Sequence, residues 1–294
     1  MAKRGLVFDN AYGAISSCSP SRCAIITGRY PHNTGAPELG SKLPADQRTF
    51  VQELQAAGYH TVLSGKNHMR KNAGDLGFDL SSDSKPAGSE KWIQHLRNRP
   101  KDKPFLCWFA SHDAHHAWQL NDEAPLYKPE DVTVPAMLHD GPLTRGELAN
   151  YYHEVSRTDH YVGLILAELE AQGIAENTYF IYCSDNGRPL PRCKGYLYES
   201  GAQTPLLITG PGVAKGRTDS LVSSIDFAAT FLEIAGQPGG GRKVAVSGVV
   251  GAGFMQIRPS APHAVHDHDE PLVEGGPGHD RPGMGQVVGK FGPG

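Results

Sequence analysis

The chain has 294 residues, with 28 Lys and Arg against 31 Asp and Glu and a formal net charge of −3. That length can bury a large core, and charge spread without long runs gives no reason to expect nucleic acid or an anionic membrane surface as partner. No apolar stretch approaches the ~20 residues of a membrane span.

The N-terminal segment Met1 to Phe8 is basic but has no apolar run of the kind a secretory signal needs. The five cysteines, at 18, 23, 107, 183 and 193, show no zinc spacing, and their odd number argues against a full disulfide framework. Nothing here fixes a cellular compartment.

In chain order, Pro20 suits the first turn of a helix running to about Thr27. Gln47 to Gly58 has helical spacing, and His60 to Ser64 follows as a short strand. The continuous apolar run Phe105 to Ala110 predicts a strand buried on both faces. A long helix is predicted from Leu148, Tyr152, Val155, Asp159, Val162, Leu166 and Leu169, which recur every three or four residues, with Gly173 as its stop. Asp159 interrupts that stripe and reads as a hydrogen-bonded core carboxylate. Thr178 to Cys183 and Pro205 to Thr209 read as buried strands, and Ile225 to Ala235 as a helix. Strands alternating with helices predict a layered α/β domain over residues 1–236, with helices on both faces of a large, mostly parallel sheet. After Gly236 the periodicity is lost: 14 Gly and 7 Pro make up 21 of the last 58 residues. Such a composition predicts a tail without regular elements over 237–294.

Several short segments carry chemistry. A helix opened by Pro20 aims its positive end at an anion near Cys18; the bland alternative is an ordinary cysteine before a helix. Asp185-Asn186-Gly187 follows a strand directly, offering a carboxylate and an amide where open α/β sheets place ligands. Both are hard oxygen donors of the type Ca²⁺ or Mg²⁺ takes, although the same tripeptide also makes turns. Lys66 and His68, just past another strand, can supply an anion-binding cation and a proton carrier, or can be two solvated loop residues. His112, His115 and His116 follow the strand Phe105 to Ala110 and leave zinc open as an alternative. His263, His266, Asp267, His268 and Asp269 lie in the tail and are read as nonfunctional.

Cys18-Ser19-Pro20-Ser21-Arg22, continued by Cys23 to His32, resembles the signature by which type I sulfatases mark a cysteine for conversion to formylglycine. The segments around Lys66-Asn67-His68, His112-Asp113-Ala114-His115, Ser184-Asp185-Asn186-Gly187 and Arg192-Cys193-Lys194-Gly195 are similar to that family's segments, in the family's order, from about Gly5 to Gly236. Details around Lys66, His115 and Asp185 look like the N-sulfoglucosamine sulfohydrolase group.

The resemblance implies an alkaline-phosphatase-like fold and hydrolysis of sulfate from sulfated or N-sulfated sugars. It implies a formylglycine at Cys18, installed by a maturation enzyme, and one Ca²⁺ bound by Asp185, Asn186 and the modified Cys18. It further implies Arg22, Lys66, His68, His115 and Lys194 as catalytic residues, with His115 protonating the leaving group; Lys194 otherwise reads as a surface lysine beside a turn. A periplasmic or secreted location is usual for the family. A related phosphate or phosphonate ester hydrolase is the alternative activity, and a noncatalytic fragment that binds sulfated glycans is the alternative class.

Two departures from the pattern stand out. The family's first strand ends in an Asp-Asp pair that supplies calcium ligands, and here the chain begins just upstream of Phe8-Asp9-Asn10-Ala11-Tyr12, with Asp9 no substitute. The tail also stands where the family carries a C-terminal subdomain. The expectation is therefore a partial catalytic domain followed by a disordered or out-of-frame segment.

Overall fold

The computed structural model describes residues 1–237 and the backbone of Gly253–Ile257. The elements run β1 (Leu6–Tyr12), α1 (Cys18–Thr27), α2 (Phe50–Ala56), β2 (His60–Gly65), β3 (Leu80–Ser82), α3 (Trp92–Asn98), β4 (Phe105–Ala110), α4 (Pro142–Ala171), β5 (Tyr179–Cys183), α5 (Glu199–Ala202), β6 (Leu206–Thr209), β7 (Gly216–Ser223), α6 (Asp226–Ile234) and β8 (Gly253–Ile257).

The strands form one eight-stranded sheet in the order β3-β2-β4-β8-β5-β6-β1-β7. β2 is parallel to β3 and β4, and β1 to β7, while β6 and β8 run antiparallel to both of their neighbours. Six strands therefore point one way and deliver their C-terminal ends to one edge.

β4 shows why the sheet is covered on both sides. All six of its residues are buried, and because successive side chains alternate, Leu106, Trp108 and Ala110 enter one core while Phe105, Cys107 and Phe109 enter the other. The first core lies against α1, α2 and α6, where Phe50 stacks between Trp108 and Phe231. The second lies against α3 and α4, where Trp92 stacks on Phe109 and meets the edge of Tyr161.

Local signals set several of the boundaries. Thr49 caps α2 reciprocally: its hydroxyl accepts from the Gln52 amide at 3.1 Å, and the Gln52 side chain accepts from the Thr49 amide at 3.1 Å. The same hydroxyl donates to the Leu76 carbonyl at 2.7 Å, pinning the helix to the loop beside it. At Gly65 φ is +97°, and an added Cβ would lie 1.8 Å from the Ala110 carbonyl oxygen. Only glycine lets the ends of β2 and β4 approach this closely, and the Lys66 amide then donates to that carbonyl at 2.8 Å.

The structure corrects two expectations. Asp159 is exposed, not a core carboxylate. The buried face of α4 runs instead through Leu148, Ala149, His153, Glu154, Arg157, Thr158, Tyr161, Val162, Ile165, Glu168 and Leu169. In the middle turns it is rotated away from the apolar stripe because it buries charged side chains that hydrophobic periodicity reads as surface. The segment 237–294 was expected to hold no regular element, yet Gly253–Ile257 pairs with both β4 and β5. Two parallel strands with facing unpaired edges leave backbone groups that a strand between them satisfies. The five tail His and Asp residues lie outside the described residues.

Replacing Thr49 by Ala should lower stability by about 1–2 kcal/mol through the lost cap and the orphaned Leu76 carbonyl, with Thr49→Ser retaining most of it. Urea midpoints at unchanged slope measure this; equal midpoints for Ala and the parent would show that the cap does not matter.

Candidate active site

The loops that leave the sheet at its C-terminal edge carry the chemistry-bearing residues. Cys18 is the first residue of α1, just after β1; Lys66 and His68 follow β2; Asp113 and His115 follow β4; Asp185 and Asn186 follow β5. All of these except His68 line a cavity of about 460 Å³, and His68 lines the cavity beside it. A larger cavity of about 780 Å³ adjoins it, sharing Lys66, His112, Asp113 and His115.

Cys18 is the focus. Its side chain is buried, the Lys66 Nζ lies 3.4 Å from Sγ, and the residue occupies the first position of α1. Burial pushes the thiol up, but hydrogen bonds from His115 and His68, with the Lys66 ammonium, outweigh burial and nearby Asp185 and bring it down to about 4. At Cys23 and Cys107 burial outweighs the pull of nearby cations, among them Arg70 for the first and Arg99 for the second, and raises the thiols to about 11 and about 12. His68 holds its place with φ of +60°, a left-handed conformation uncommon outside glycine, and its buried Nδ1 has no protein partner.

Behind Cys18 a buried ion pair binds three loops together. Arg22, on the second turn of α1, donates from Nε to Asp185 Oδ2 at 2.7 Å and from one terminal nitrogen to the Lys66 carbonyl at 2.8 Å. Both side chains are almost fully buried, at 1% and 6% exposure. Burial pushes the Asp185 carboxyl up, but Arg22, Lys66 and Lys194 together hold it below its ordinary range. The Lys66 ammonium is lowered by burial and by Arg22, against the opposing pull of Asp185.

Besides Cys18, the His115 ring has two further partners. Its Nδ1 donates to the His116 carbonyl, which leaves Nε2 to meet the Lys194 Nζ at 3.0 Å. The backbone of this loop is fixed from α4: Glu154 accepts the His115 amide at 2.9 Å and the Gln119 amide at 2.8 Å. Arg157 grips Asp113 through two bonds of 2.8 Å each. These three buried charges were not found by sequence reasoning. The available signal was Glu154 and Arg157 one turn apart on a helix, which usually marks a solvated face. His112 bonds Asp83 at 2.7 Å and His116 bonds Glu147 at 2.8 Å, so the three neighbouring histidines point to different partners and do not form a zinc set. Asp9 pairs with Arg217 of β7, away from the site.

Asp185 and Asn186 suit a hard cation in kind. The Asn186 Oδ1 is buried and has no hydrogen-bond partner, and the neighbouring Asp185 favours its ionised form. Among the described residues, no group of three or more His, Cys, Asp or Glu side chains is arranged to hold a metal. These residues therefore offer two of the six to eight oxygens a Ca²⁺ would take.

The sulfatase family model matches residues 1–92 and 87–237, most of the chain. The chain belongs to the sulfatase family. The human N-sulphoglucosamine sulphohydrolase is 31% identical over 274 residues, an alignment covering 79% of this chain and 54% of that protein. An ulvan-active sulfatase from Formosa agariphila is 29% identical over 290 residues, covering 81% and 47%. The chain thus spans about half the length of these relatives.

Among solved structures, one holding its substrate D-glucosamine-2-N,6-O-disulfate superimposes with a TM-score of 0.66 at 23% identity, covering 81% of this chain and 70% of that one. A phosphonate monoester hydrolase from Silicibacter pomeroyi superimposes with a TM-score of 0.59 at 19% identity, covering 81% and 67%. These two likenesses establish the alkaline-phosphatase-like fold. The family is generally dependent on formylglycine and a metal.

Two measurements check the electrostatics. Iodoacetamide should label Cys18 of the unmodified protein already at pH 5, with Cys23 and Cys107 unlabelled, as read by peptide mass spectrometry; labelling that rises only near pH 8–9 would contradict the thiolate. Because the Asp185 carboxyl is lowered in the native state, its stabilisation is present above about pH 4 and is lost as pH falls through the native value. The urea midpoint of the parent should therefore drop more between pH 6 and pH 3 than that of Asp185→Asn, and equal drops would refute this.

Proposed function

We propose that this chain is a hydrolase of sulfate esters or sulfamates on sulfated or N-sulfated sugars, with a formylglycine made from Cys18 by a maturation enzyme. The observation that carries this reading is the convergence of Lys66, His68 and His115 on one side chain at a helix N-terminus. A site built to hold an anionic sulfur at Cys18 is equally suited to a nucleophilic oxygen and the sulfate it attacks.

When formed, the hydrated aldehyde would supply two geminal hydroxyls, one to attack sulfur and the other to expel sulfate afterwards, a division of one hard displacement into two easier ones. The chain's own residues bind and orient. Lys66 and Lys194 neutralise sulfate oxygens, each as a cation with several donors. His68 accepts a proton from the nucleophilic position, to which it is already hydrogen-bonded in the thiolate form. His115 carries a proton to the leaving amine or alcohol, and Lys194 at Nε2 is positioned to reprotonate it. Arg22 is a positioning residue that fixes Asp185 and the Lys66 backbone. Asp185 and Asn186 would hold the Ca²⁺, with the modified Cys18 as a further ligand, and the ion would supply charge neutralisation for the sulfate. Net hydrolysis consumes one water and yields the free sugar hydroxyl or amine, sulfate and a proton.

The names of the relatives support the substrate class: one acts on N-sulphoglucosamine and one is active on ulvan. The test is to express the chain with a formylglycine-generating enzyme, confirm the conversion of Cys18 by mass spectrometry, and assay N-sulfoglucosamine, an aryl sulfate and an aryl phosphate. Sulfate release should fall by about 10²-fold or more in His115→Ala. A converted protein that prefers the phosphate, or turns over none of the three, would overturn the reading.

A further inference from the structure

The larger cavity beside Cys18, about 780 Å³, has a charge balance the proposed chemistry leaves unused. Three of its lining lysines, Lys42, Lys71 and Lys85, are exposed and stand apart from the Cys18 cluster. None of them is in an ion pair among the described residues, and Lys85 alone has a contact, 3.5 Å from His112 Nε2. The carboxylates in the same lining are already engaged: Asp113 by Arg157, Glu154 by two backbone amides, and Asp83 by His112. The wall therefore presents surplus positive charge in a concave space, which focuses field on an anion entering it. The cavity adjoins the catalytic cleft and shares Lys66 and His115 with it, so the anion can belong to the molecule whose sulfate lies at Cys18.

We infer that Lys42, Lys71 and Lys85 form a second anion subsite, which selects sugars bearing a further sulfate group beyond the one removed. This rests on the proposed sulfated-sugar reading and narrows it from sulfated sugars in general to multiply sulfated ones. The cations are exposed and unpaired, so each contributes modestly and the three act together; their effect is screened by salt.

Calorimetric titration of the full chain carrying Cys18→Ala, which removes both turnover and the competing thiolate, provides the test. The probes are glucosamine N-sulfate and glucosamine N,6-disulfate. The disulfate should bind about tenfold tighter at low salt, and that preference should fall to within about twofold in the Lys42→Ala, Lys71→Ala, Lys85→Ala triple variant and at about 0.5 M salt. The control Lys103→Ala, an exposed lysine outside both cavities, should leave it unchanged. Equal binding of the two probes, or a preference that survives the triple variant, overturns the subsite and leaves the sulfated-sugar reading standing. Binding of neither probe overturns both.

Discussion

The site depends on one buried ion pair. Arg22 and Asp185 come from the start of the first helix and the end of a central strand, and their contact excludes water almost completely. Two isolated charges in such a place would be costly, whereas the paired and hydrogen-bonded Asp185 carboxylate is held ionised. The second bond of Arg22, to the Lys66 carbonyl, brings in a third loop. Asp185 balances Arg22, Lys66 and Lys194 at once. Without that carboxylate, the cations that bind an anion at Cys18 would chiefly repel one another.

A second buried cluster performs the same service from the opposite side. Arg157 on α4 neutralises Asp113 and lies beside Glu154, while Glu154 spends its oxygens on the amides of His115 and Gln119. The loop after β4 is thus held by main-chain contacts. The backbone of His115 is therefore fixed independently of the hydrogen bonds its ring makes. The two clusters differ in what they fix: one sets the charge around Cys18, the other the backbone that carries His115.

What the sequence revealed follows from this arrangement. β4 was legible because both its faces are buried, so every residue is apolar. The loops bearing Lys66, His115 and Asp185 were located because each directly follows a readable strand. The long helix had the right period, and Leu148, Val162 and Leu169 of its stripe are buried, but its middle turns face elsewhere, since Glu154 and Arg157 are buried by virtue of partners far away in the chain. β7 was missed because most of it is exposed at the sheet edge, leaving no alternation to read, and β3 is only three residues long. β1 lacks a continuous apolar run for a similar reason, with Asp9 and Asn10 facing the exposed edge strand. Nothing in a Gly-rich tail distinguishes β8 before its neighbours are known. Long-range pairing, in strands and in charges alike, is what local pattern leaves out.

The separation of Arg22 from Asp185 along the chain, 163 residues, also sets a clock. At roughly 5–20 residues per second, synthesis takes on the order of ten to thirty seconds to cover that distance. Throughout that interval the nascent segment around Cys18 has emerged while the carboxylate that locks its helix in place does not yet exist. The thiol that ends up almost fully buried on the floor of a cleft is therefore openly presented during translation, and it can be reached only through that cleft once the rest of the sheet arrives.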